Sequence, residues 1–170
     1  MKIPGKKARA GMKGGGARYE RPDGALYSSE VEPEAGWSEA VVIYVNEEER
    51  KKVVDGEEKD VTRLTLTLGI EPRGDATIGS RIFHNIDMDV GWLVRDLCTV
   101  IAPELEASEE DQDFNPLTLN GRRFAVKLAE SDTYSEKLGY NYYNVKAVKK
   151  LEDAEQLIDA EESEPEEQLF

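Results

Sequence analysis

Hydrophobic and polar positions alternate in five separate runs along this chain. Trp37 to Val45 places Val41, Ile43 and Val45 on one face and Val42 and Tyr44 on the other, the period-two pattern of a strand. Val61 to Ile70 is the cleanest of the five: Leu64, Leu66 and Leu68 alternate with Arg63, Thr65 and Thr67. One face of it is therefore buried and the other wet. Arg81 to Asn85 sets Ile82 and His84 against Arg81, Phe83 and Asn85. Arg123 to Leu128 turns Phe124, Val126 and Leu128 inward, and Tyr142 to Val148 supplies a fifth strand. A single stretch before the C-terminus follows the helical period instead. Val90, Leu93, Val94, Leu97 and Ile101 form one stripe, with Asp89 as its N-cap and Pro103 ending it.

Turn residues separate these runs at Pro72 to Asp75 and at Asn120-Gly121, and the charged run Asn46 to Asp60 reads as a hairpin-like excursion. Three strands, a helix and two further strands predict a mainly β fold. The simplest such fold is a five-stranded OB-fold-like Greek-key barrel with one helix between strands 3 and 4. Three regions follow: a basic Gly-rich arm over 1–24, the OB-fold-like domain over 25–150, and an acidic tail over 151–170.

Charge divides along the same lines. Residues 1–21 carry seven Lys and Arg against Glu20, a balance of +6, whereas 151–170 carry nine carboxylates and no cation. The formal net charge is −14, so 22–150 holds −11. Such asymmetry between ends marks interaction segments on an acidic domain. The arm, with Gly14 to Gly16, is expected to be flexible. It either neutralises phosphates or folds back on the acidic surface.

Catalysis finds little support. Cys98 is the one cysteine and His84 the one histidine, so no pair stands at metal-ligand spacing. Asp87 and Asp89 suit turn and capping duty better than a divalent-metal nuclease site. His84 has no nucleophile motif beside it, and the glycine run lacks the phosphate-loop pattern. No enzyme activity, metal or cofactor is expected. With no apolar span and no secretory h-region, a cytoplasmic protein is expected.

A binding surface is better supported. Tyr134, Tyr140, Tyr142 and Tyr143 interleave with Lys137 and Lys146, which suits unpaired bases stacking on rings while cations follow the backbone. The wet face of the second and third strands offers Arg63, Arg81 and Phe83, with Arg73 in the connecting turn and Lys127 on the fourth strand; Phe83 suits a core position equally well. OB-folds bind oligonucleotides on that strand 2–3 face and with the loop between strands 4 and 5. Neighbours in a strand face opposite ways, and Tyr143 shares parity with Val145 and Ala147, so Tyr142 is the outward one.

Leu151, Ala154, Leu157 and Ile158 suit a short amphipathic helix. Beyond Asp159 the tail is too charged to fold alone, and it ends in Leu169-Phe170. An acidic segment tipped by a hydrophobic pair suits a basic-rimmed partner pocket. Together with the segments GSRIFHNIDM, GWLVRDLC, LNGRRFAVKLA and YNYYNVKAVKKL, this tail resembles single-stranded DNA-binding proteins of bacteria and tailed phages, most of all the phage-encoded branch. The resemblance spans about Trp37 to Leu151 plus the tip. It implies protection of single-stranded DNA during phage replication and recombination, with a tail that recruits replication or recombination proteins through Leu169 and Phe170 and competes with DNA. Bacterial relatives usually end in Pro-Phe, and the long basic arm is not a general family feature. A homo-oligomer stays open. Two other classes stand beside this reading: an acidic interaction module that imitates DNA and blocks a host enzyme, and a Mg²⁺-dependent nuclease.

Overall fold

The computed structural model describes residues 26–105 and 114–167, with side chains among them as far as Glu161. The chain is mainly β, and six strands make one sheet in the order β1-β4-β3-β2-β5-β6. They are β1 Tyr27–Ser28, β2 Gly36–Val54, β3 Glu57–Ile70, β4 Gly79–Asp87, β5 Arg123–Ser135 and β6 Tyr140–Lys149. The five alternating runs are β2 to β6, each extended beyond its apolar part. The two-residue β1 is additional, pairs in parallel with β4, and came with no periodicity to mark it. The helix accordingly follows the fourth strand of the sheet rather than the third.

Strand β2 organises the sheet because it serves two partners. Gly36 to Val41 pairs with β5, and Ala40 to Val54 pairs with β3, with a shift in register between Val42 and Tyr44. Beyond Glu48 the β2 and β3 strands continue as a two-stranded ribbon closed by Asp55-Gly56. Both turn residues have positive φ, 54° and 79°, the requirement of a type I′ hairpin and the reason for an Asp-Gly pair there. At the other end, β5 and β6 run on past the Gly36 pairing as a second ribbon.

The inner face collects Ala40, Val42 and Val45 with Leu64, Leu66, Leu68 and Ile86, all fully buried. Each such leucine contributes roughly 1.5–3 kcal/mol of transfer free energy. Helix α1, Gly91–Asp96, widens into a π-type turn over Leu97–Ile101, where the Ala102 N–H donates to the Leu97 carbonyl at 2.7 Å. That turn delivers Leu97, Cys98 and Ile101 to the core. The expected single helix is thus two pieces, and Val90, not Asp89, stands at its N-cap. Asp89 instead faces Lys52 at 3.1 Å. Helix α2, Leu151–Glu167, packs Ala154, with Leu151 and Ile158, against Trp37, Ala125 and Ala147 on the outer face of β2, β5 and β6. It continues past Asp159, where the tail was expected to lose order, and Leu157 faces solvent.

The expected barrel does not close, since no ladder joins β4 to β6. Residues 27–32 run between those strands as a strap instead. β1 is laddered to β4, while the Tyr140 hydroxyl donates to the Ser29 carbonyl at 2.6 Å and the Tyr143 hydroxyl to Glu32 at 2.7 Å. The Tyr27 ring lies over Gly69, where a Cβ would meet ring carbons at 2.7 Å. Its hydroxyl donates to Glu71, and burial together with that carboxylate pushes its pKa up to about 12.

Candidate nucleic-acid interface

Register across β2, β3 and β4 defines one outer face row by row. Tyr44 stands opposite Thr67, which stands opposite Phe83; Asn46, Thr65 and Asn85 form the next row; Glu48, Arg63 and Asp87 form the third. Directly opposed residues share a face, so these nine side chains lie together. Phe83 is 64% exposed in the middle of β4. Single exposed apolar residues are normal on protein surfaces; what sets Phe83 apart is its place among polar neighbours. Beside it the Thr65 hydroxyl donates to Asn85 Oδ1 at 2.8 Å, which leaves the Asn85 amide N–H groups facing outward as donors.

The arginines expected on this face are engaged by the protein itself. Arg63 donates through Nε and Nη2 to Asp87 at 2.5 and 3.1 Å. This fork holds the Asp87 carboxyl below its ordinary range and raises the guanidinium. Arg73 donates to the carbonyl of Trp37 and to Ser38 Oγ, both at 3.0 Å, and pairs with Glu34 at 3.3 Å. Arg81 donates to the Tyr27 carbonyl at 2.7 Å and so anchors β1. Strand parity put Arg63 and Arg81 on the wet face correctly, but their partners come from across the sheet and from the strap. All three guanidinium groups therefore have protein partners.

The β5–β6 ribbon carries the remaining expected residues. Tyr134 and Tyr142 are 60% and 47% exposed, and Lys137 stands exposed in the turn between the strands. Tyr140 is half-buried. Its hydroxyl is tied to the strap, and its ring meets Tyr143 edge-on at 6.3 Å. Tyr143 packs against the core as parity required, and burial with Glu32 raises its hydroxyl far above the ordinary value. Lys146 is the extra residue of a bulge, since Lys127 pairs with Ala147 and Leu128 with Val145. Lys127 shares its face with Trp37 and Ala125, the side where α2 packs, and is not brought beside Phe83. Leu169 and Phe170 lie outside the described residues.

Three features carried no usable sign in the sequence. Asn46, Thr65 and Asn85 become a polar row only through register. Trp92, at the start of α1, is 47% exposed. Arg50, Lys52 and Lys59 belong to the same outer face as Phe83, through the pairs Arg50–Val61 and Lys52–Lys59. His84 is buried on the inner face, where desolvation lowers its pKa to about 4; it is neutral at pH 7 and away from the outer surface. Among the described residues no cluster of His, Cys, Asp or Glu is arranged to hold a metal ion, and no helix is long and apolar enough to cross a membrane. The chain matches no protein-family model, and no curated protein matches it in sequence.

Proposed function

We propose that this chain binds single-stranded DNA without sequence preference through the outer face of β2, β3 and β4. The observation that carries the reading is Phe83, a ring 64% exposed at the centre of a strand, beside Thr67 and the Thr65–Asn85 pair and with no helix over it among the described residues. Base stacking on such a ring contributes roughly 1–3 kcal/mol, and the exposed part of this face runs from Phe83 past Thr65 and Asn85 toward Arg63. The strand order supports the same reading. β5 returns by a long connection to lie beside β2, so β5-β2-β3-β4 follow the Greek-key order, and the five long strands have the order of a partly open OB-fold. Tyr134, Tyr142, Lys137 and Lys146 continue the site onto the β5–β6 ribbon.

A cytoplasmic role in shielding DNA during phage replication or recombination, with the acidic tail drawing in partner proteins, rests on the resemblance described above. A second reading has its own observation. Arg63, Arg73, Arg122 and Arg123 are each held by carboxylates of the protein, and the net charge is −14, which suits an acidic module that imitates DNA. Fluorescence anisotropy with a labelled oligo-dT at two salt concentrations separates the two. DNA binding predicts saturable, salt-dependent titration. Absence of binding at low salt overturns the proposal in favour of the mimic.

A further inference from the structure

The strap fixes where the basic N-terminal segment joins the sheet. Gly69 lies opposite Val41 and Arg81, one row along the outer face from Thr67 and Phe83, and successive rows are about 7 Å apart. The Tyr27 ring fills that row. A Cβ on Gly69 or Gly79 would meet its carbons at 2.7 and 2.8 Å, and it packs with Val41, Ile43 and Tyr44. Backbone contacts hold the same point: β1 is laddered to β4, and Arg81 donates to the Tyr27 carbonyl at 2.7 Å. Tyr27 pairs with Gly79, which lies about 13 Å along β4 from Phe83. Leu26, just before it, is 54% exposed. The most basic part of the chain precedes this anchor, with seven Lys and Arg against Glu20 over residues 1–21. A segment of that length spans up to about 70 Å, several times the distance to the ring.

We propose that the strap delivers the basic arm to this face, where Lys6, Lys7, Arg9 and Lys13 take the phosphates of the strand whose bases stack on Phe83. The inference rests on the DNA-binding reading and adds what the engaged arginines leave missing, a source of cations next to the ring. Arg63 and Arg73 are held by carboxylates, and Arg81 anchors the root of the arm itself. Of the two roles the sequence leaves to the arm, the anchorage favours phosphate neutralisation over folding back on acidic surface. The carboxylates of Glu58 and Asp60 lie on the opposite side of β3, at the far end of the strand from Gly69. Cations tethered beside the ring raise the local potential there, and local potential matters more than net charge for a polyanion.

The test compares full-length wild type, Lys6→Gln/Lys7→Gln/Arg9→Gln and Lys127→Gln/Lys149→Gln by anisotropy with labelled oligo-dT across a salt series. The second variant removes cations from the α2 side of the sheet. Each lost phosphate contact lowers the salt slope by about 0.7. The arm variant is therefore expected to lose about 2 in slope, so that raising salt from about 50 to 200 mM weakens it about 18-fold less than wild type. The α2-side variant should keep the wild-type slope. Placement is read separately, from a nitroxide on Ala10→Cys in the full chain, where Cys98 is buried. Broadening of the Arg81, Phe83 and Asn85 amides in the oligo-dT complex is the expected result. If wild type binds and the arm variant retains its slope, or the α2-side variant loses as much, the arm is refuted while DNA binding stands. Broadening gathered at Glu58 and Asp60 instead overturns delivery by the strap. If wild type itself fails to bind, the underlying reading falls, and the arm with it.

Discussion

Replacing Phe83 separates a binding role from a packing role with two substitutions. About a third of its side chain is out of water, so of the roughly 200 Å² an aromatic buries when enclosed, about 70 Å² is covered here. At about 25 cal/mol/Å² this is an upper bound of about 2 kcal/mol on its contribution to folding, against the 3–5 kcal/mol typical of a core Phe→Ala change. Phe83→Leu keeps most of the covered aliphatic contact and removes only the π face. Its unfolding free energy in urea is expected within about 1 kcal/mol of wild type. Its affinity for oligo-dT is expected to fall by the stacking contribution, roughly 1–3 kcal/mol or about five- to 150-fold. Phe83→Ala should lose the same affinity and somewhat more stability. An unchanged affinity in Phe83→Leu would refute stacking on this ring, and a stability loss of core size would show that it packs instead.

Three further outcomes follow from the geometry. Truncation after Glu161 removes four glutamates and the Leu-Phe tip while keeping the Leu151, Ala154 and Ile158 packing; oligo-dT binding at low salt is expected to tighten several-fold, and unchanged or weaker binding would refute competition by the tail. Asp87→Asn should destabilise the fold by about 1 kcal/mol or more at neutral pH, because Arg63 loses its charged acceptor. Since the Asp87 pKa is lowered by folding, chiefly by the Arg63 hydrogen bond, that contribution is present above the ordinary carboxylate range and is lost as the pH falls through the lowered folded value, so urea midpoints of wild type and variant should converge toward the acid end of the titration. His84 is depressed to about 4 from an unfolded value near 6.5, so the unfolded chain takes up the proton first. Stability should decline as pH falls from about 6.5 to 4, by up to about 1.4 kcal/mol per pH unit, and His84→Leu should flatten that slope.

What the sequence made legible was set by period and parity. Leu64, Leu66 and Leu68 fixed the buried face of β3, and the same alternation turned Tyr143 inward; for Phe83 it left surface and core open, and the structure exposes it. Partners across the sheet were not legible, because register depends on pairings that no local pattern encodes. Arg63 looks available until Asp87 stands opposite it, and Arg81 until β1 arrives at the edge of β4. The strap around Tyr27 lacks any alternation, so neither β1 nor the engagement of Tyr140 could be foreseen. The helical stripe from Val90 to Ile101 was visible, but its widening at Leu97 follows from how the core receives Leu97, Cys98 and Ile101 together. The charged run in the β2–β3 ribbon concealed most. Only the Asp55-Gly56 turn fixes which of its lysines share a face with Phe83.

Backbone amide NMR of the ¹⁵N-labelled protein during an oligo-dT titration tests the central claim most directly. Saturable shifts concentrated at Asn46, Thr65, Phe83 and Asn85 are the expected result. An unperturbed β3–β4 face, with shifts absent or gathered around Trp37 and α2, would contradict it.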